Sequence, residues 1–401
     1  MSCYEIYRAP NTMKSMRGIL LFLGLGTLPI YYFPSGLPQP SHLFLSLFFL
    51  CSLTGGKITI HTEDRLLGAL FLFSLVRETI AVVGGAASAS MMQPIFTLFN
   101  LCILVFIRKY FEQASQNQRQ FFILGICSAS LVAATSVLLS GFSYSGNHTL
   151  IRATGTFNNP NQMAYFAVCL GAVALNLHLA RSINMPIVAL LLIAGLILIL
   201  AALSKAGLIA FSLILFVFSI LVTNRVHWII SLFAFIIIPV CIAYFINSGY
   251  FEQAYALQRL HNIGTDGDDT LYQRGYLMFQ HFDTPGEIFF GLGSDKVREI
   301  LTHEVHSTLI YNLVNYSFIG FLLYTGFLYV WAKHLVKNFS IIAMTGIAGA
   351  PMLYGLAHNG TRFTIFYILI ACGLSLAREA VTHKNIPHKT QFNASILKPF
   401  V

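Results

Sequence analysis

The sequence predicts an all-α, polytopic integral membrane protein, and three observations predict it. Of 401 residues 56% are hydrophobic and only 10% are charged, and the mean hydropathy is +0.71, far outside the range of a soluble domain of this length. The apolar residues run on as continuous Leu, Ile, Phe and Ala rather than alternating. In hydrocarbon only helices and closed barrels satisfy the backbone, so unbroken runs select helices. One long polar interval, 248–307, interrupts the runs and carries Arg259, Arg274, Lys296, Arg298, several acids and four His. A membrane protein that keeps one such loop usually uses it.

Taken in order, Lys14 and Arg17 precede a first apolar run, 18–33, with no small-residue cleavage pattern after it, which reads as an uncleaved signal anchor. Further runs follow at 41–54, 66–85, 94–107, 120–140, 162–180, 186–203, 206–223, 227–246, 308–331, 340–357 and 363–377, about twelve spans in all. Several fall short of the ~20 residues that cross a bilayer at about 1.5 Å per residue, which leaves the second and fourth open as re-entrant segments. The chain divides into nine N-terminal helices (1–247), a large external loop (248–307) and three C-terminal helices with a tail (308–401).

Alternating the loops from an N-terminus on the inner side puts 16 of the 24 Lys and Arg on that side and seven on the other, with Arg77 inside a span. This bias orients both termini toward the cytoplasm and the long loop outward. The net charge of +9 is largely the same anchoring bias and gives no ground for a nucleic-acid partner. All seven Cys except Cys3 sit within apolar runs, and none lies in the long loop, so they read as helix packing rather than as disulfides or a metal knuckle. Arg77 and Glu78, in the third span, are expected to pair with each other or with a neighbour.

The same alternation brings two further polar stretches to the outer face: 141–162, with the string Arg152-Ala153-Thr154-Gly155-Thr156-Phe157-Asn158-Asn159-Pro160-Asn161, and His358-Asn359-Gly360-Thr361-Arg362. Three separated segments thus meet one face, as a membrane enzyme acting on a lipid-linked anion requires. The string from Arg152 to Asn161, the interval from Tyr272-Gln273-Arg274 to Gly291-Leu292-Gly293, and the pair His306-Ser307 ahead of an apolar span resemble the superfamily of O-antigen ligases and polysaccharide polymerases. The resemblance covers roughly residues 152–324. That family has a Gly where this chain has Ser317, whereas Gly320 matches the second small position.

The resemblance implies a metal-independent glycosyltransferase, without cofactor, at the periplasmic face of a bacterial inner membrane. Its donor would be a polysaccharide on undecaprenyl diphosphate, and its acceptor the sugar of lipid A-core in a ligase or another lipid-linked repeat in a polymerase. The residue types suit that chemistry. Cleaving a sugar from a diphosphate releases negative charge near lipid, which fixed guanidiniums stabilise; the resemblance assigns this role to Arg152 and Arg274. The attacking hydroxyl must lose a proton, which a His can accept near neutral pH. His306 matches the family position, and His303, one turn earlier if the segment is helical, is the second candidate.

Blander readings stand beside these: the arginines as snorkelling anchors and His306 as a helix cap. His303, Glu304 and His306 lack the spacing of a helical metal motif, so no metal is expected. Asn158, Asn159 and Asn161 around Pro160 read first as a turn and N-cap, with a sugar-binding role for Asn158, Asn161 and Arg362 second. A transporter of the same lipid-linked glycan stays open, although midplane charges and internal repeats are missing apart from Arg77 and Glu78.

Overall fold

A computed structural model describes residues 11–33, 38–54, 56–140, 153–222, 271–272 and 274–384. Every apolar run is helical there except the ninth, 227–246, which lies outside the described residues. The elements are α1 (Asn11–Gly26), α2 (Pro40–Leu53), α3 (Thr62–Val83), α4 (Met92–Gln113), α5 (Gln116–Ser140), α6 (Pro160–Leu179), α7 (Met185–Ala202) and α8 (Lys205–Val222). The short α9 (Pro285–Phe290) and α10 (Ser294–Leu301) come before α11 (Thr308–Asn338), α12 (Ile341–Ala357) and α13 (Thr364–Lys384). Among the described residues six helices are long and apolar enough to cross a membrane, and the protein is an all-α membrane protein.

The boundaries differ from the apolar runs for local reasons. The first helix starts earlier than its run and stops at Gly26, because Pro29 disfavours helix in the residue before it and the Thr27 hydroxyl donates to the Leu23 carbonyl at 2.7 Å. The fourth run grows to the 22 residues of α4, enough to cross, whereas α2 has only 14. Pro351 removes a donor from α12, and a π-turn at Thr345–Gly349 precedes it.

Two helices form the centre. Along α6 nearly every residue from Gln162 to Leu177 is buried, and 365–377 of α13 likewise. Around this pair the contacts run α1, α2, α4, α3, α11, α12, α8, α7, α5 and back to α1, a ring among the described residues. Lipid gives helices no hydrophobic reason to associate, so close approach through small residues decides which ones touch. Gly171 of α6 and Gly195 of α7 both face the Phe211 ring, which would stand 2.9 and 2.7 Å from an added Cβ.

The helix ends gather on two faces. On one, Arg108 is buried and reaches Asp64 at 2.6 Å, Glu63 at 3.1 Å and the Thr59 carbonyl at 2.9 Å, while Arg378 reaches Glu63 at 2.6 Å and Arg119 reaches Glu379 at 2.6 Å. These pairs tie α3, α4, α5 and α13 together. On the other face the connections 27–33, 153–160, 271–307 and 358–363 meet.

Part of the 248–307 interval is not a free loop. The unit formed by α9 and α10 packs on α3, α11 and the 3₁₀ turn Ser88–Met91. The α11 helix breaks at Tyr316 and Ser317, which frees the Val314 and Asn315 carbonyls to accept Leu292 N (2.8 Å) and Gly293 N (3.2 Å). Arg77 does not bond Glu78; its guanidinium donates to the Gly291 carbonyl at 3.1 Å and the Leu292 carbonyl at 2.5 Å. Glu78 accepts the Ser294 amide at 3.1 Å, at the start of α10. The intramembrane charges are thus the dock for this unit, so the expectation of a neighbouring partner is met.

Ser317 stands at φ 55°, ψ −163°, a conformation that essentially only Gly adopts freely. This explains physically why a Gly would be usual there. The Ser hydroxyl offsets part of the strain by donating to the Ile288 carbonyl. Ser317→Gly is therefore expected to keep the α9–α10 unit docked with stability changed by no more than about 1 kcal/mol, strain relief offsetting the lost bond. Ser317→Val, a β-branched residue at positive φ, is expected to lose several kcal/mol. Thermal unfolding of the two purified variants checks the contrast, and equal midpoints would contradict it.

Candidate functional site

The segment between α10 and α11 is extended, because Thr302 ends α10 in a left-handed conformation at φ 63° and Ser307 caps α11, its hydroxyl accepting the Ile310 amide at 3.5 Å. His303 therefore does not share a helical face with His306, as a helical segment would have required. The two rings meet all the same, with centroids 4.8 Å apart and planes at 27°. The cap is Ser307, not His306. Val305 is fully buried while its neighbours Glu304 and His306 are half-buried, the alternation of an extended strand with one face anchored.

A third imidazole completes the cluster. His358, at the end of α12, lies with its ring 6.2 Å from that of His306. Its turn is pinned from α11, where the Thr308 hydroxyl donates to the His358 carbonyl (3.1 Å) and accepts the Gly360 amide (2.8 Å). Asn100 Nδ2 and the Tyr367 hydroxyl both donate to the Thr361 carbonyl, at 3.2 and 3.0 Å. The same turn delivers Arg362, which pairs with Glu304 and stands over the Phe96 ring at 5.7 Å. Glu304 is also 3.7 Å from Arg298.

Arg274 reaches the cluster through its backbone. Gly275, at φ 87°, packs so tightly on Val305 that an added Cβ would stand 2.8 Å from that side chain. The Tyr276 hydroxyl donates to the Leu356 carbonyl at 2.7 Å, joining the same segment to the end of α12 beside His358. Arg274, half-buried, comes immediately before these two anchors.

The asparagines serve first as structure. Asn159 caps α6, accepting the Gln162 amide at 2.8 Å, with Pro160 at the first helical position. Asn158 donates to the Phe33 carbonyl at 3.0 Å, and the Asn161 carbonyl accepts the Tyr354 hydroxyl at 2.9 Å, one turn before His358. Arg152 lies outside the described residues; Ala153, next to it, is buried and donates to the Ala201 carbonyl at 3.0 Å.

The structure thus brings together His303 and His306 directly, Arg362 through Glu304, Arg274 through Gly275, and Asn161 through Tyr354. Sequence reasoning missed His358 and, beyond a passing look at metal ligation, Glu304. His358 opens the very polar string that was assigned to the outer face, which was the available signal. An enclosed space of about 10 Å³, room for about one water, lies among Gln93, Tyr311, Asn312, Tyr316, Tyr324 and Arg362. Among the described residues no group of three His, Cys, Asp or Glu is placed to hold a metal ion.

Chemically the cluster offers imidazole rings beside guanidiniums, of which Arg362 and Arg298 both stand at Glu304. Compared with models of protein families the chain matches none, and a search among curated proteins finds no significant match.

Proposed function

We propose that the protein is a membrane glycosyltransferase that transfers O-antigen polysaccharide from undecaprenyl diphosphate to lipid A-core at the periplasmic face of the inner membrane. The observation that carries the reading is the convergence of the 274–276, 303–307 and 358–362 segments on one His-rich, Arg-rich cluster at one end of the bundle. In this reading His306 takes the proton of the attacking hydroxyl, and its ring is oriented by His303 and His358 on either side. Arg274, with Arg152, grips the diphosphate oxygens bidentately as the sugar leaves. Glu304 positions Arg362 and, through the chain, His306.

The twelve-span count, the external position of 248–307 and the cytoplasmic termini belong to the same proposal. A cysteine at Gly267 is expected to react with an impermeant thiol reagent in intact spheroplasts, and protection there would reverse the orientation. The activity is tested by the lipopolysaccharide gel of a deletion strain. Loss of all O-chain bands with lipid-linked polymer accumulating is the ligase outcome, core plus one repeat is the polymerase outcome, and an unchanged ladder rejects both.

A further inference from the structure

On the face opposite the His cluster, a cleft of about 420 Å³ lies between α3, α11 and α13. Its lining includes Lys333, Lys337, Arg378, His61 and His334, with Glu63 as the one carboxylate. That acid is already engaged by Arg108 at 3.1 Å and Arg378 at 2.6 Å. Burial, with Arg378 and Arg108 beside it, holds the His61 imidazole below its ordinary pKa. The two lysines are exposed and supply the uncommitted charge.

Their placement on α11 identifies the depth of the cleft. Tyr329, Lys333 and Lys337 recur every four residues along one stripe of the helix. Toward the middle of α11, Phe318 and Leu322 are 61% and 64% exposed, as lipid-facing side chains are. Tyr329, 64% exposed, follows at the position where an aromatic ring sits at the level of lipid headgroups. The lysines come one and two turns further on, and Tyr329 lines the cleft with them.

We propose that this cleft binds the phosphate of an anionic phospholipid headgroup, gripped by Lys333, Lys337 and the edge of Arg378. The site is independent of the chemistry assigned to the opposite face. It would clamp α11, whose far end carries the Ser307 cap beside His306, to the buried ion-pair cluster of α3, α4 and α13.

The test uses the full-length protein in a non-ionic detergent, titrated with phosphatidylglycerol, with phosphatidylcholine or with inorganic phosphate, and the thermal unfolding midpoint is read. Phosphatidylglycerol is expected to raise the midpoint saturably, and phosphatidylcholine not at all. In Lys333→Gln/Lys337→Gln the half-saturating lipid should rise by about tenfold or more, while Arg65→Gln, an exposed charge on the same face outside the cleft, should leave it unchanged. Neither change touches the buried pairs, so both variants fold. Saturation by inorganic phosphate, competing with lipid and lost in the double variant, would keep the phosphate site but move its source from lipid to solution. An equal response in the double variant, equal loss in Arg65→Gln, or no response to either anion overturns the proposal.

Discussion

His306→Ala is expected to reach the membrane at normal abundance and to transfer glycan about 10² to 10⁴ times more slowly, the typical cost of removing a general base. The structure sharpens this expectation. Ser307, not His306, caps α11, so removing the imidazole leaves the helix start intact. Ser307→Ala is the complementary control, expected to lose about 1 kcal/mol of stability and little rate. His303→Ala should retain more activity than His306→Ala. Its ring Nδ1 lies 2.9 Å from the Glu304 carbonyl, whereas the His306 ring neighbours both other imidazoles. Initial transfer rates of the purified variants decide the matter. If only His303→Ala loses activity, the base has been assigned to the wrong ring.

The second large effect is expected at Arg274. A donor that stabilises developing negative charge typically contributes about 10²- to 10³-fold in rate, and a bidentate guanidinium is poorly replaced by an ammonium. Arg274→Ala and Arg274→Lys should both fall in that range, with Arg152→Ala alongside them. Two nearby cations serve as the contrast. Lys296 is ion-paired to Glu287 at the surface, and Arg298 stands 3.7 Å from Glu304 with half its side chain exposed. Exposed pairs of this kind contribute about 0–1 kcal/mol, so Lys296→Ala and Arg298→Ala should keep rates near wild type. A wild-type rate in Arg274→Lys, or an equal loss in Arg298→Ala, would mean that general positive charge rather than a shaped grip is at work.

How much of this was legible in the sequence follows from which physics is local. Apolar runs report the solvent a helix must face, so helices appeared wherever runs were read within the described residues. Which helices lie at the centre was less legible, since α6 and α7 are both apolar and only the small residues of α6, Gly171 among them, hint at burial on all sides. The break in α11 could not be read from hydropathy, because Tyr316 and Ser317 sit within an apolar run; the absent Gly at Ser317 marked the place without its meaning. Arg77 and Glu78 were legible as costly charges, but their partners in α10 and the turn before it are more than 200 positions away, 214 for Arg77 and Gly291. Likewise His303 and His306 were legible as a pair, whereas His358 joins them through Thr308, a contact that no spacing rule anticipates.

The most direct test of the central claim is a transfer assay with the purified protein in vesicles, supplied with polyprenyl-diphosphate-linked glycan and a lipid A-core acceptor. Glycan is expected to appear on the acceptor as polyprenyl diphosphate is released, without added metal or nucleotide, and His306→Ala is expected to abolish both. Movement of intact lipid-linked glycan across the bilayer with no release of diphosphate, at equal rates in the wild type and His306→Ala, would contradict it.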